Sequence, residues 1–347
     1  MANPTLQLKG RPLPNGWLVK ELIAKGENDT GGHFSVQYEV EKDGKRFFLK
    51  AIDIYRTLQD VPLPNITTKL DEQLSIYNFE KQLLMYCRDH HTSKIALIVD
   101  SGEVRLEGEL IPVPYLIFEM ANGNARDFVR FSNDSDFVWK MKSLHDIAVG
   151  LMQLHKIGVF HQDVKPSNIL VYNDSSSKLT DLGRSKCTAL DGPFDSFTFS
   201  GDRTYAPIEI LPSFSFLTTG ATYNKDYAID LYLLGNLMTY YLTGLNMSAL
   251  IINNIHKYGM SSKIDEMHSF VKRAFMESVE EVRHCIYYEE FVEPLVELVT
   301  SLCNPFPDKR GDSENGKKYT LERIVSKLNL LMVRAEINFK RYGYIKR

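Results

Sequence analysis

The sequence predicts an α+β fold in two lobes, a small antiparallel β lobe followed by a larger helical one. Three observations predict it. Strand-like patterning fills the first third of the 347 residues, helical patterning fills most of the chain after Asn122-Gly-Asn, and a short junction over 120–123 separates the two. A hydrophobic content of 44% is enough for a sizeable core, and the length allows one large domain or two lobes around a cleft. The expected boundaries are 17–121 for the small lobe and 122–335 for the large one.

From Trp17 to Asp53 the chain reads as strands. Phe34-Ser-Val-Gln-Tyr-Glu-Val alternates, Lys42-Asp-Gly-Lys supplies a tight turn, and Arg46-Phe-Phe-Leu-Lys-Ala-Ile resumes the extended pattern. A polar, proline-containing stretch over 59–69 comes next. Leu74 to Arg88 then has helical spacing, and 95–100 and 115–119 are predicted strands. The densest apolar run, 228–242, is shorter than the roughly 18 residues of a membrane span and contains Asp230, so it predicts a buried helix.

Composition excludes several classes. A net charge of −3 gives no electrostatic footprint for nucleic acid or an anionic membrane. The basic end (Lys340, Arg341, Lys346, Arg347) reads as a solvated helix terminus. Cys87, Cys187, Cys285 and Cys303 are scattered with no Cys-x-x-Cys pair, which fits reduced thiols in the cytoplasm better than a disulfide framework or zinc site. The polar, proline-bearing start, 1–16, does not read as a signal peptide. No internal repeat stands out, and the sequence is silent on oligomeric state.

The chemistry concentrates in Val159-Phe-His161-Gln162-Asp163-Val164-Lys165-Pro166-Ser167-Asn168-Ile-Leu-Val and Lys178-Leu-Thr-Asp181-Leu182-Gly183. Ile169–Tyr172 is a short apolar strand, Asn173-Asp-Ser-Ser-Ser a turn, and Lys178-Leu-Thr the returning strand. A hairpin sets the start of one strand beside the end of the other, so Asn168 and Asp181 converge. Their oxygens suit a hard cation such as Mg²⁺. Asp163, in a loop constrained by Pro166, is placed to accept a proton nearby, and Lys165 adds positive charge. Each residue alone also suits an ordinary turn; the joint order and spacing carries the argument.

Here the chain resembles the protein kinase superfamily. His161-Gln-Asp-Val-Lys-Pro-Ser-Asn is similar to the catalytic-loop signature, with Gln162 where Arg is usual, and Asp181-Leu-Gly is similar to Asp-Phe-Gly. The resemblance implies a bilobal kinase fold, ATP with Mg²⁺, and a protein substrate with a Ser or Thr acceptor. It implies Asp163 as the base, Lys165 on the γ-phosphate, and Asn168 and Asp181 on the metal. The chain looks more like the soluble eukaryotic-like kinases of bacteria than an animal kinase.

In the small lobe, Lys50 interrupts an apolar strand and Glu80 lies on the apolar face of the predicted helix, beside Ile76, Tyr77, Leu83 and Leu84. Pairing them satisfies both; a snorkelling Lys and a solvated Glu are the alternatives. The family resemblance implies the pair, with Lys50 on the α- and β-phosphates and 55–69 as an insertion before the helix. Gly26, Gly31 and Gly32 resemble the start of a glycine-rich phosphate loop whose third Gly is replaced by Phe34 or Ser35; a plain hairpin turn is the alternative. Phe48 stands where a small Ala is frequent. Phe118-Glu119-Met120-Ala121 resembles the hinge, which implies adenine contacts from the backbone of Glu119 and Ala121.

In the large lobe, Gly201-Asp-Arg-Thr-Tyr205-Ala-Pro207-Ile208-Glu209 resembles the end of an activation segment, with Asp202 in place of Thr. Asp230-Leu-Tyr-Leu-Leu-Gly235 resembles the buried helix whose Asp ties down the catalytic loop; a first-turn helix carboxylate is the alternative. Asn304-Pro-Phe-Pro-Asp-Lys-Arg310 resembles the motif whose Arg pairs with the segment-ending Glu, here Glu209. These features favour a protein substrate over a small molecule. The altered glycine loop, Phe48 and Gln162 also fit a pseudokinase that binds nucleotide as a scaffold. A neutral amide at Gln162 cannot read a phosphate as Arg does, so activity is expected without phosphorylation of Thr188, Ser196, Thr198 or Ser200.

Overall fold

The computed structural model describes residues 3–24, 35–59, 65–130, 134–259, 263–311 and 318–342. The small lobe holds β1 (Pro12–Leu13), β2 (Trp17–Leu22), β3 (Ser35–Lys42) and β4 (Lys45–Ile52), then α1 (Ile54–Gln59), α2 (Ile66–Asp89), β5 (Ile98–Val104) and β6 (Val113–Glu119). The strands form one antiparallel sheet in the order β1-β2-β3-β4-β6-β5. The β3–β4 hairpin follows the expected alternation. Its turn residues Asp43 and Gly44 have φ of 51° and 71°, the left-handed pair that matches strand twist, so Asp-Gly fits there.

Both faces of this sheet are covered. Leu49 and Ala51 on β4 join Tyr38, Val40, Tyr115 and Ile117 in a core that Leu8, Leu13 and Trp17 close from the N-terminal side. Phe48, Lys50 and Ile52 alternate to the opposite face, toward α2. β6 is accordingly buried over six consecutive residues.

The sequence-predicted helix over 74–88 extends from 66 to 89, and α1 is also helical, so most of the described residues of the expected insertion 55–69 are helical. Periodicity missed the first turns of α2 because Thr67, Thr68 and Lys69 are not buried there. The N-terminal residues are tied in: Tyr38 Oη donates to the Thr5 carbonyl and the Asn3 amide to Asp53.

The large lobe begins with β7 (Gly123–Asn124), α3 (Ala125–Phe128) and α4 (Asp134–Lys156). Four short strands come after α4: β8 (Val159–Phe160), β9 (Ile169–Val171), β10 (Ser177–Leu179) and β11 (Lys186–Cys187). The expected hairpin is β9–β10, with Ile169 opposite Leu179, and β11 pairs back onto β8. Helices α5 (Lys225–Thr243), α6 (Met247–His256), α7 (Ile264–His284), α8 (Glu289–Leu302) and α9 (Glu322–Tyr342) complete it. α5 is the buried helix read from the apolar run, ended by Gly244 at φ 80°. Among the described residues no helix is long and apolar enough to cross a membrane.

Candidate functional site

The three short strands β8, β9 and β10 place the chemistry. β8 delivers His161–Asp163 and β9 begins directly after Asn168, while β10 ends two residues before Asp181. The Thr180 N–H donates to the Asn168 carbonyl at 3.0 Å, so the two segments run side by side as the hairpin argument required.

Asp230, in the second turn of α5 and without solvent exposure, pins the loop from below. Its Oδ2 accepts the His161 N–H at 2.9 Å and its Oδ1 the Gln162 N–H at 2.8 Å, and His155 Nε2 lies 2.9 Å from Oδ2. It therefore does not occupy the first-turn position that a dipole argument would give. Gln162 sits at φ 63° and Asp181 at φ 64°, left-handed positions that cost non-glycine residues of order 1–2 kcal/mol. Their neighbours hold them there. Gln162 Nε2 donates to the Asp226 carbonyl at 3.1 Å. His161 accepts the Asp163 N–H on Nδ1 and gives Nε2–H to the Thr180 carbonyl.

Asp163 is buried and both of its carboxylate oxygens are engaged. Oδ1 accepts the Asp202 N–H at 2.8 Å; Oδ2 lies 3.0 Å from Asn168 Nδ2 and 3.1 Å from Lys165 Nζ. Lys165 also reaches Asp202 Oδ2 at 3.3 Å. Burial pushes the Asp163 carboxyl above the usual range, against the pull of Lys165. Gly201 makes this approach possible, since a Cβ there would stand 2.1 Å from the Gln162 carbonyl oxygen.

Lys50 and Glu80 do pair. Lys50 Nζ lies 2.8 and 3.0 Å from the two Glu80 oxygens and 3.1 Å from Asp181 Oδ1. Burial alone would lower Lys50, but Asp181 and Glu80 outweigh it and hold the ammonium above its ordinary value. Asp181 is held below the usual carboxylate range, first by Lys50. At Glu80 burial outweighs the pull of Lys50 and holds the carboxyl above its usual range.

Lys50, Glu80, Asp163, Lys165 and Asp181 line one cavity of about 370 Å³, within the span of small-molecule sites. Asn168 turns its amide nitrogen to the Asp163 carbonyl and carboxylate, which leaves its Oδ1 for another partner. With Asp181 this is an all-oxygen pair, a donor set that fits Mg²⁺ completed by water and phosphate. Among the described residues no group of three His, Cys, Asp or Glu forms a metal cluster. Glu119 and Ala121 lie at the junction, outside the lining of that cavity; Glu119 pairs with Lys178 at 3.3 Å. Gly26, Gly31 and Gly32 fall outside the described residues.

Sequence reasoning missed two cations. Arg184 donates to the Ser200 carbonyl at 2.9 Å and stacks over Phe194; Lys186 donates to the Phe197 carbonyl at 2.9 Å and pairs with Asp226 at 3.3 Å. They tie the segment after Asp181 to itself through its backbone. The available signal was two cations spaced by two, just past Gly183, with no acid before Asp191. Farther out, Arg310 pairs with Glu209, as the late motif required.

Comparison with known proteins gives a consistent result. A model of the protein kinase domain matches residues 90–319, more than half of the chain. Three relatives illustrate the range. A serine/threonine-protein kinase/endoribonuclease of Arabidopsis thaliana is 27% identical over 175 residues, covering 49% of this chain and 17% of the relative. A probable serine/threonine-protein kinase of Corynebacterium efficiens is 33% identical over 109 residues, 31% of this chain and 16% of the relative. A probable LRR receptor-like serine/threonine-protein kinase of Arabidopsis thaliana is 25% identical over 254 residues, 71% of this chain and 24% of the relative. The match thus spans a quarter or less of each of these proteins. The family match begins after Lys50 and Glu80, whose pairing rests on the geometry above.

Proposed function

Because the chain belongs to the protein kinase family, we propose that it transfers the γ-phosphate of ATP to Ser or Thr hydroxyls of protein substrates, with Asp163 as the base. The carrying observation is the setting of Asp163: a buried carboxylate held by Asn168, Lys165 and the Asp202 N–H, in the cavity that also receives Lys50 and Asp181. The serine/threonine-protein kinases among the relatives support the acceptor class.

In this reading the acceptor hydroxyl replaces one donor at Asp163, which orients the oxygen and takes its proton as the bond to phosphorus forms. Lys165 leaves Asp202 and follows the charge on the transferred group. Lys50, fixed by Glu80, holds the α- and β-phosphates. Asn168 Oδ1 and the Asp181 oxygens would hold Mg²⁺, whose chemistry is to neutralise phosphate charge and set the γ-phosphoryl in line. Backbone groups of Glu119 and Ala121 take the adenine edge; the family resemblance alone assigns Gly31 and Gly32, which lie outside the described residues, to the phosphates. The lobes divide at 121/122, with 17–121 binding nucleotide and 122–335 binding substrate. The free cysteines support a cytoplasmic setting, and a net charge of −3 gives no electrostatic footprint for nucleic acid or an anionic membrane.

A second reading is favoured by one observation. Gln162 and Phe48 stand where the family usually has Arg and a small Ala, departures that fit a scaffold that binds nucleotide without turnover. Labelled ATP, Mg²⁺ and a generic basic protein separate the two. The expected outcome is transfer by the native chain and a loss of about 10²–10⁴ in Asp163→Ala. Transfer by both alike, or by neither, counts against the base. Label appearing only on an added sugar or aminoglycoside would indicate a small-molecule phosphotransferase.

A further inference from the structure

Helix α9 carries two apolar faces. One is built into the core: Ile324, Leu328, Leu331 and Ala335 are buried, and the helix lies along α4. The other looks outward. Leu330, Val333 and Ile337 leave 56%, 39% and 54% of their surface to solvent. At about 100° per residue these three lie roughly opposite Leu331 and Ala335. Ser326, Asn329, Lys340 and Arg341 are exposed around them, so this side is open along the helix.

A spacing of three and then four residues is that of the a and d positions of a heptad, the narrow seam along which one helix meets another. The two edges of the seam differ in charge. Lys327, Arg334 and Arg341 follow one edge at intervals of seven, and Glu322, Asn329 and Glu336 follow the other at the same interval. Lys327 pairs with Glu297 of α8 at 2.7 Å, whereas Arg334 and Glu336 form no ion pair with the described residues. A second copy of α9 laid parallel satisfies both edges at once. Glu322, Asn329 and Glu336 then face Lys327, Arg334 and Arg341 of the partner subunit, each five residues further on, the register in which paired helices exchange ion pairs. An antiparallel copy would set cations against cations.

We infer that α9 is a self-association surface: two copies of this chain pair through parallel α9 helices, with Leu330, Val333 and Ile337 in the seam and Glu336 and Arg341 bridging its edges. Each α9 keeps its own lobe behind it, so the two bodies lie on opposite sides of the seam. The apolar run is short. It ends at Ser326 and at Lys340, whose stem can turn its ammonium out to water. A contact of this length falls below the about 1,200–2,000 Å² of a stable complex, so the expected Kd is about 10–100 µM.

Sedimentation equilibrium of the whole 347-residue chain is the test. From about 1 to about 200 µM the average mass should climb from monomer toward dimer. Ile337→Glu should hold it at the monomer value over the same range. Arg341→Glu and Glu336→Arg should each weaken pairing by about tenfold, since a symmetric dimer loses two exposed charge pairs. An equimolar mixture of those two variants should associate more tightly than either alone, a gain that misfolding cannot produce. A native chain that stays monomeric, or a dimer that Ile337→Glu leaves intact, overturns the inference. Tighter pairing in Arg341→Glu than in the native chain is the mark of an antiparallel contact and overturns it as well. Phosphatidylserine vesicles supply the remaining arm: capture of the native chain but not of Ile337→Glu, with no dimer in solution, assigns the stripe to a lipid surface and discards the pairing.

Discussion

The Arg310 guanidinium lies across both oxygens of Glu209, at 2.8 and 3.1 Å, with no solvent exposure. It also donates to the carbonyls of Asn304 and Ala228 and stacks over Tyr232. A buried pair of this kind is strongly destabilising to break, because the remaining charge is left without a partner. Arg310→Met should cost about 3–5 kcal/mol in chemical denaturation. Adding Glu209→Leu should recover a large part of that loss but not all, since two carbonyls still lack their donor. Equal losses in the single and double variants would show that the pair itself is not the source.

Lys50→Met should abolish transfer while leaving a folded chain whose melting temperature is lower. The substitution leaves Glu80 buried without its cation and removes the charge that holds Asp181 low. A further Glu80→Gln change should restore melting without restoring transfer. Transfer rates near the native level in Lys50→Met would remove Lys50 from the phosphate site.

The pH profile follows from Asp163. A base works when deprotonated, and burial raises this carboxyl, so activity should fall on acidification at a higher pH than an ordinary Asp would give. Lys165 opposes that rise. Lys165→Met should therefore move the acid limb of kcat/KM further up in pH, measured on whatever residual rate it keeps. An unmoved limb would assign the titration to another group.

Activity should not depend on phosphate in the segment 188–200. Arg184 and Lys186 hold it through the Ser200 and Phe197 carbonyls, and Gln162 is spent on Asp226. Of the four candidate hydroxyls, Ser200 is buried and donates to the Arg184 carbonyl at 2.6 Å. Joint replacement of Thr188, Ser196, Thr198 and Ser200 by Ala should keep turnover within about tenfold and lower stability by about 1–3 kcal/mol, mostly through Ser200. Loss of turnover in a folded protein, or in phosphatase-treated native chain, would contradict this.

The parts of the fold written in local periodicity were legible. The β3–β4 hairpin could be read because Asp43-Gly44 demands left-handed backbone and the flanking residues alternate. The Lys50–Glu80 pair could be read because each residue is costly on its own apolar face. What escaped was set by contacts distant in sequence. Nothing near Leu8 or Trp17 announces that they roof the sheet over Tyr115. Asp202 was noticed as a replacement for Thr, yet its grip on Lys165 and Asp163 depends on a chain reversal that local pattern does not encode. Arg184 went unnoticed for the same reason.

The Asp230 carboxylate has a consequence for ligand design. By gripping two successive amides from beneath, it makes the His161–Gln162 peptide a fixed datum within the large lobe. A small molecule entering the cleft meets a floor it cannot remould. Discrimination by such a compound has to come from the opposite wall, where Lys69, Gln73 and Tyr77 of α2 offer an ammonium, an amide and a phenol in a single helical row.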